Sequence, residues 1–179
     1  MAGWIFLGLI VVFIIWQAIA ISNRFKVLLV KIQEADSGID VALLKRYDTL
    51  TKLIDVVKGY TKHETELLRE VIRLRSGMGM AEREEAHLRM DEAEQKIRIL
   101  AESYPELRSS ENYRQLQEAI VDAEDHLQAA RRVYNVNVSS FNQAIVQFPA
   151  SIIANFARHA PRDFFETDAL KREDVKISF

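Results

Sequence analysis

From Ala2 to Ile21 the chain reads AGWIFLGLIVVFIIWQAIAI, without a charge and with one strongly polar side chain, Gln17. At about 1.5 Å per residue a helix of that length spans about 30 Å, the thickness of a bilayer's hydrocarbon core. Trp4 and Trp16 stand near its two ends, where amphipathic rings favour the headgroup level. A buried core helix seldom runs this far without a charge. A cleaved signal peptide is the nearer rival, because Ala18-Ile19-Ala20 resembles a small-x-small cleavage site. Against it, no basic residue precedes the run, and the run exceeds the usual apolar region of about 7–15 residues. Segment 1–21 is therefore expected to be retained as a transmembrane anchor. Arg24, Lys26 and Lys31 follow the span while only the α-amino group precedes it. The positive-inside rule then places the N-terminus outside and the bulk of the chain in the cytoplasm.

The residues after the anchor are enough for one domain. A formal net charge of −2 supplies no basic field for nucleic acid, and the absence of cysteine excludes disulfides, thiolate metal sites and Cys nucleophiles. Pro105, Pro149 and Pro161 and the Gly77–Gly79 break are the main punctuation, which leaves room for long helices.

The spacing predicts a first helix over about 22–75, continuous with the anchor. Its heptad a positions are Phe25, Ile32, Ile39, Arg46, Leu53, Tyr60, Leu67 and Leu74, and its d positions Leu29, Asp36, Leu43, Leu50, Val57, Glu64 and Val71. Twelve of these fifteen are apolar or aromatic, a repeat long enough for a bundle or coiled-coil seam. Gly77 and Gly79 are expected to end it. A second helix, about 81–103, carries Ala86, Met90, Ala93, Ile97 and Leu100 on one stripe and closes at Pro105. A third, about 109–148, is expected to start at a Ser109 or Ser110 cap. Its a positions are Tyr113, Ile120, Leu127, Tyr134, Phe141 and Phe148; its d positions Leu116, Ala123, Ala130, Asn137 and Ala144. Rings alternating with alanine let a neighbouring helix approach closely. A short helix over 150–158, with Ile152, Ile153 and Phe156 as its apolar face, completes a bundle over 22–158. Residues 159–179 read as a tail packed on the bundle, with Phe164 and Phe165 docking and a short extended end at 175–179.

Catalytic motifs fail one by one. His63-Glu64 begins like a zinc-protease HExxH, but Leu67 stands where the second histidine must be. Glu84 and His87 have the i, i+3 spacing of a di-iron site, yet no second copy exists, and Ala86 at position a turns both toward solvent. Gly77-x-Gly79 lacks a phosphate-loop continuation, and the charged run 82–94 reads as a solvated face. No catalytic, cofactor or metal site and no small-molecule substrate is evident. Asn137 falls at a core position, where an unpaired amide costs about 1–3 kcal/mol. Asp36, Arg46 or Glu64 is its expected partner, and Arg46, Asp48, Asn135, Asn137 and Asn142 are expected to set the bundle's register.

The segments IDVALLKRYDTLTKLIDVVKGYTKHE at 39–64 and ENYRQLQEAIVDAEDHLQAARRVYNVNVSSFNQAIVQFP at 111–149, with the ending from Ser151, resemble the LemA family of bacterial membrane proteins. The most specific pieces are Arg46-Tyr47-Asp48, Gly59-Tyr60 with His63-Glu64, Leu116-Gln117, the seven-spaced pairs Tyr134-Asn135 and Phe141-Asn142, and Phe148-Pro149. Thr51-Lys52 stands where a Pro-Asn pair is expected. The resemblance implies an all-α fold, with a single N-out transmembrane helix continuous with a long antiparallel, four-helix, coiled-coil-like bundle in the cytoplasm. It names no reaction.

Helix lengths carry one further expectation. If the second helix retraces about 35 Å of the first and the third then turns away from the membrane, the stripe Phe25, Leu29, Ile32, Ile39, Leu43 and Leu50 stays uncovered. Such a stalk would pack against other copies, since each large side chain gains about 1.5–3 kcal/mol on burial; the alternatives are a kink in the long helix at Gly59 or a bundle that slides upward to cover the stalk. The expected protein is a non-enzymatic scaffold of the bacterial cytoplasmic membrane, anchored by Trp4, Trp16, Arg24 and Lys26. It would work through homo-oligomeric and other membrane-protein contacts. The alternative is a partner-regulated envelope-stress or signalling adaptor whose docking groove includes Phe156, Phe164 and Phe165.

Overall fold

The computed structural model describes residues 2–60 and 80–165. They form five helices: α1 (Ala2–Tyr60), α2 (Met80–Ser103), α3 (Pro105–Ser109), α4 (Glu111–Val146) and α5 (Ala150–Phe156). The fold is all-α, with no strand among the described residues. The expected continuation of the first helix to 75 lies outside the described residues. So do His63, Glu64, Leu67, Val71 and Leu74, the Gly77–Gly79 break and the extended end at 175–179.

Local chemistry sets the boundaries. Pro105 opens α3, where its missing N–H is no loss. Ser110 caps α4, its hydroxyl accepting from the Tyr113 N–H at 3.2 Å. At the end of α5, Arg158 takes a left-handed conformation (φ 55°) while the His159 N–H reaches back to the Ala154 carbonyl at 2.9 Å. This is a Schellman-type close, with arginine where glycine is the usual residue.

The chain divides into two compact units. One comprises Met1–Asp36 and Arg132–Phe179, the other Ser37–Arg131. In the first, residues 2–20 are almost wholly exposed, Trp4 and Trp16 among them, and α1 is there long and apolar enough to cross a membrane. Beyond that run α1 and α4 are antiparallel. Phe25 meets Phe141 with ring centroids 6.4 Å apart, and the Asn137 amide donates to the Lys31 carbonyl at 3.1 Å. His159 closes the Phe25–Phe141 pair edge-on, at 5.2 and 5.8 Å. Ile32, Val138, Ala144, Ala154 and Phe165 complete this core.

The second unit packs the later part of α1 with α2, α3 and the first part of α4. Ile39, Leu43, Leu50, Leu53 and Val57 are buried with Ala86, Met90, Ile97, Leu107, Tyr113, Ile120 and Leu127. The ion pairs Asp40–Arg83 and Arg46–Asp91 advance together along α1 and α2, so these helices run parallel. His87 faces Arg131 and Arg98 lies near Tyr113, so α4 runs antiparallel to α2.

Several expectations need correction. The second helix does not retrace the first, because heptad phase marks a helix's buried face and is blind to its direction. The stripe assigned to an oligomer stalk is not left in water. Phe25, Ile32, Ile39, Leu43 and Leu50 are buried by the chain itself, and Leu29 is half-buried. The length argument for self-association therefore loses its premise. At α5 the buried side is Ala154, with Ile153 half-buried, while Ile152 and Phe156 face outward. Phe165 is buried and Phe164 exposed. Tyr60 and Phe148, both placed on seams, are exposed.

Candidate functional site

The polar interior of the second unit is built around Arg46. It occupies a heptad a position of α1, so the helix carries its guanidinium inward, where the side chain is 4% exposed. There it donates to Asp91 at 2.5 Å and to Glu94 at 3.4 Å on α2, and pairs with Glu124 on α4 at 3.1 Å. It also meets Nδ1 of His87 at 2.5 Å. Arg131 of α4 lies on the other side of the imidazole, 3.4 Å from Nε2. One guanidinium thus joins α1, α2 and α4.

His87 corrects the sequence reading, which turned it toward solvent. Helix α2 touches two neighbours, so its buried face is wider than the stripe through Ala86, and His87, beside that stripe, falls inside it. Glu84 is half-buried. A guanidinium only donates, and a neutral imidazole has one acceptor nitrogen; the closer contact, 2.5 Å to Arg46, assigns it to Nδ1, so Nε2 carries the proton and its 3.4 Å approach to Arg131 is not a hydrogen bond. That places the Nε2 proton toward Asp91 Oδ2, 3.6 Å away. The neutral imidazole therefore suits the site. Burial first, then the Arg131 and Arg46 charges, hold His87 below the ordinary histidine value against the opposing pull of Asp91 and Glu124.

This gives a signed pH dependence. A histidine whose folded pKa is depressed contributes stability that is present above the unfolded value of about 6.5 and is lost as pH falls through the depressed value. Thermal melts of the full chain in detergent should decline as pH falls from about 6.5 toward the depressed value. His87→Gln should flatten this part of the profile; an unaltered slope would assign it elsewhere.

Ligand atoms of His87, Asp91 and Glu124 lie within 4.8 Å of one another, a spacing that suits a metal ion. All three already face the Arg46 guanidinium, a permanent cation between them. A divalent ion there would have to displace it against two arginine charges. The arrangement suits holding helices together better than Lewis-acid chemistry.

Asp48, assigned with Arg46 to bundle register, is instead exposed on α1. The asparagines sit in the first unit. Asn137 bonds the Lys31 carbonyl and not Asp36 or Arg46. Asn135 and Asn142 grip the tail. Each amide accepts from and donates to one tail residue, Asn142 pairing with Arg162 (2.8 and 2.9 Å) and Asn135 with Phe165 (2.8 and 2.9 Å). The Tyr134 hydroxyl adds a bond to the Asp163 carbonyl at 3.3 Å. Seven residues of helix rise about 10.5 Å and three residues of extended chain cover about 10 Å, so the two spacings match. Arg24 and Lys26 are exposed on α1 just past the apolar run. Sequence reasoning missed His87, Asp91, Glu94, Glu124 and Arg131; the one available signal was the partner a buried Arg46 requires.

The model of the LemA family matches residues 35–179, beginning beyond the apolar run. Protein LemA of Metamycoplasma hominis is 29% identical over 153 residues, which cover 83% of this chain and 70% of that protein.

Proposed function

The chain belongs to the LemA family, and from that premise we propose a non-enzymatic, membrane-anchored scaffold of the bacterial cytoplasmic membrane. The observation that carries the reading is the contrast along α1. Its first nineteen residues are uncharged and almost wholly exposed, while its continuation is folded into bundle cores. Such a helix spends its first part in lipid and its second in helix packing. Arg46, His87, Asp91 and Glu124 are engaged with one another, which supports a structural role over turnover.

Contact with other proteins would use outward side chains. Val41 and Leu44 are exposed apolar residues of α1 in the second unit, and they replace the buried stripe as the surface for self-association. The chain has no cysteine, so Val41→Cys gives a unique crosslinking position. In native membranes it should form disulfide-linked dimers of the chain or adducts with another membrane protein. A monomer alone, at every oxidant level, would refute the scaffold reading. Topology has its own check: Gly3→Cys should react with an impermeant maleimide from outside, and Ser103→Cys only after permeabilisation.

A further inference from the structure

We propose that α5 and the segment after it form a second membrane contact, an amphipathic foot that rests on an anionic phospholipid surface beside the spanning helix. Phe148, Ile152 and Phe156 follow one another at four-residue spacing and are 82%, 62% and 92% exposed. Two of them project from a helix whose other side is seated through Ala154.

Position names the occupant. Phe141 packs on Phe25, and α4 runs antiparallel to α1 within the first unit. Its last residue, Val146, lies five residues further on, about 7.5 Å closer to the N-terminal end of α1. That is the level at which the apolar run ends. Phe148 and α5 follow directly, so their exposed rings stand where the bilayer surface would be. The inference rests on the reading of α1 as a membrane span.

Charge points the same way. The chain as a whole carries −2, yet residues 1–33 and 126–162 contain no aspartate or glutamate. The basic residues these stretches bring to the first unit are Arg24, Lys26, Lys31, Arg132, Arg158 and Arg162. Rings flanked by arginines and free of acids match the boundary between anionic headgroups and acyl chains. Arg158 adds an independent sign. Its backbone is left-handed (φ 55°), where glycine would be unstrained, and its side chain is exposed, so arginine there is more readily explained by what its guanidinium meets than by the turn.

The test uses the full chain with single labels, since no native thiol competes. An environment-sensitive dye is placed at Ile152→Cys, at Phe156→Cys, and at Val136→Cys as a control, and each protein is reconstituted into vesicles. With phosphatidylglycerol present, the dyes at 152 and 156 should move to shorter wavelength and be quenched by lipids brominated near the headgroup, while the dye at 136 stays water-like. Arg158→Glu with Arg162→Glu should remove most of that quenching. Quenching of Trp4 and Trp16 by brominated acyl chains reads the span separately. Quenched tryptophans with unquenched dyes at 152 and 156 would overturn the foot and leave the span standing; unquenched tryptophans would overturn both. Equal dye quenching in pure phosphatidylcholine would overturn the anionic requirement. A dye shift confined to native membranes would point to a protein partner and overturn the lipid assignment.

Discussion

Arg46→Met should unfold the second unit under conditions where the parent chain is intact. The side chain is nearly fully buried and is the common partner of Asp91, Glu94 and Glu124. Removing it leaves Asp91 and Glu124 around a neutral histidine with only Arg131 to oppose them, while Glu94 keeps Arg98. Breaking a fully buried pair by deleting one partner costs about 3–5 kcal/mol; with Asp91 and Glu124 partly exposed and Arg131 still beside them, the loss here falls at the lower end, about 3 kcal/mol. A domain holds about 5–15 kcal/mol in total, so that loss is a large fraction of it. Circular-dichroism melts in detergent should show an early transition, and amide exchange along α2 should rise with it. Arg46→Lys should fall between, since an ammonium cannot reach three helices with a planar fork of donors. The decisive variant replaces the set. Arg46→Met with Asp91→Leu, Glu124→Leu and Arg131→Met, Glu94 keeping Arg98 as its partner, should recover much of the stability, as apolar replacement of a whole buried ion set is often neutral or better. If the single variant melts like the parent, the cluster is not what ties the three helices together.

The sequence made some of this legible and hid the rest for identifiable reasons. The buried face of α1 could be read at Phe25, Ile32, Ile39, Leu43, Leu50, Leu53 and Val57, because a heptad repeat is a direct record of which side meets a neighbour. The same holds for Tyr113, Ile120, Leu127, Tyr134 and Phe141 on α4. Direction left no such record. A stripe packs equally well against a parallel or an antiparallel partner, so the parallel course of α2 emerges only from the pairs Asp40–Arg83 and Arg46–Asp91. From that one unknown followed the uncovered stalk. His87 was misplaced because a single stripe describes a helix with one neighbour and α2 has two. Arg46 was singled out as an interior polar residue, but its partners could not be named, since they come from positions 45, 48 and 78 residues away in the chain.

Asn135→Ala with Asn142→Ala should free the tail and leave the helices folded. Each amide makes two bonds to the tail backbone, one to an N–H and one to a carbonyl. An extended segment has no hydrogen-bonding neighbour of its own, so these side chains stand in for an adjacent strand. At about 1 kcal/mol net per bond, the double change removes about 4 kcal/mol of local stability. Since each 1.4 kcal/mol is a factor of ten, tail opening should rise roughly a thousandfold, and by about thirtyfold for either single change. Hydrogen exchange at the Arg162 and Phe165 amides reads this directly, and trypsin cleavage after Arg162 should accelerate in parallel when opening is fast relative to cleavage. Asn→Asp at either position is the sharper probe. A carboxylate still accepts the N–H but turns a lone pair toward the carbonyl, so exchange should rise at least as far as with alanine while the side chain keeps its size. The sequence reading gave these residues a different task, setting how the helices align. Under that task the double variant would broaden the melting of α1 against α4 and leave exchange in the tail untouched. Geometry favours the clip: Asn135 and Asn142 are seven residues apart, their partners Phe165 and Arg162 three, and only an extended chain running against the helix keeps both pairs in reach.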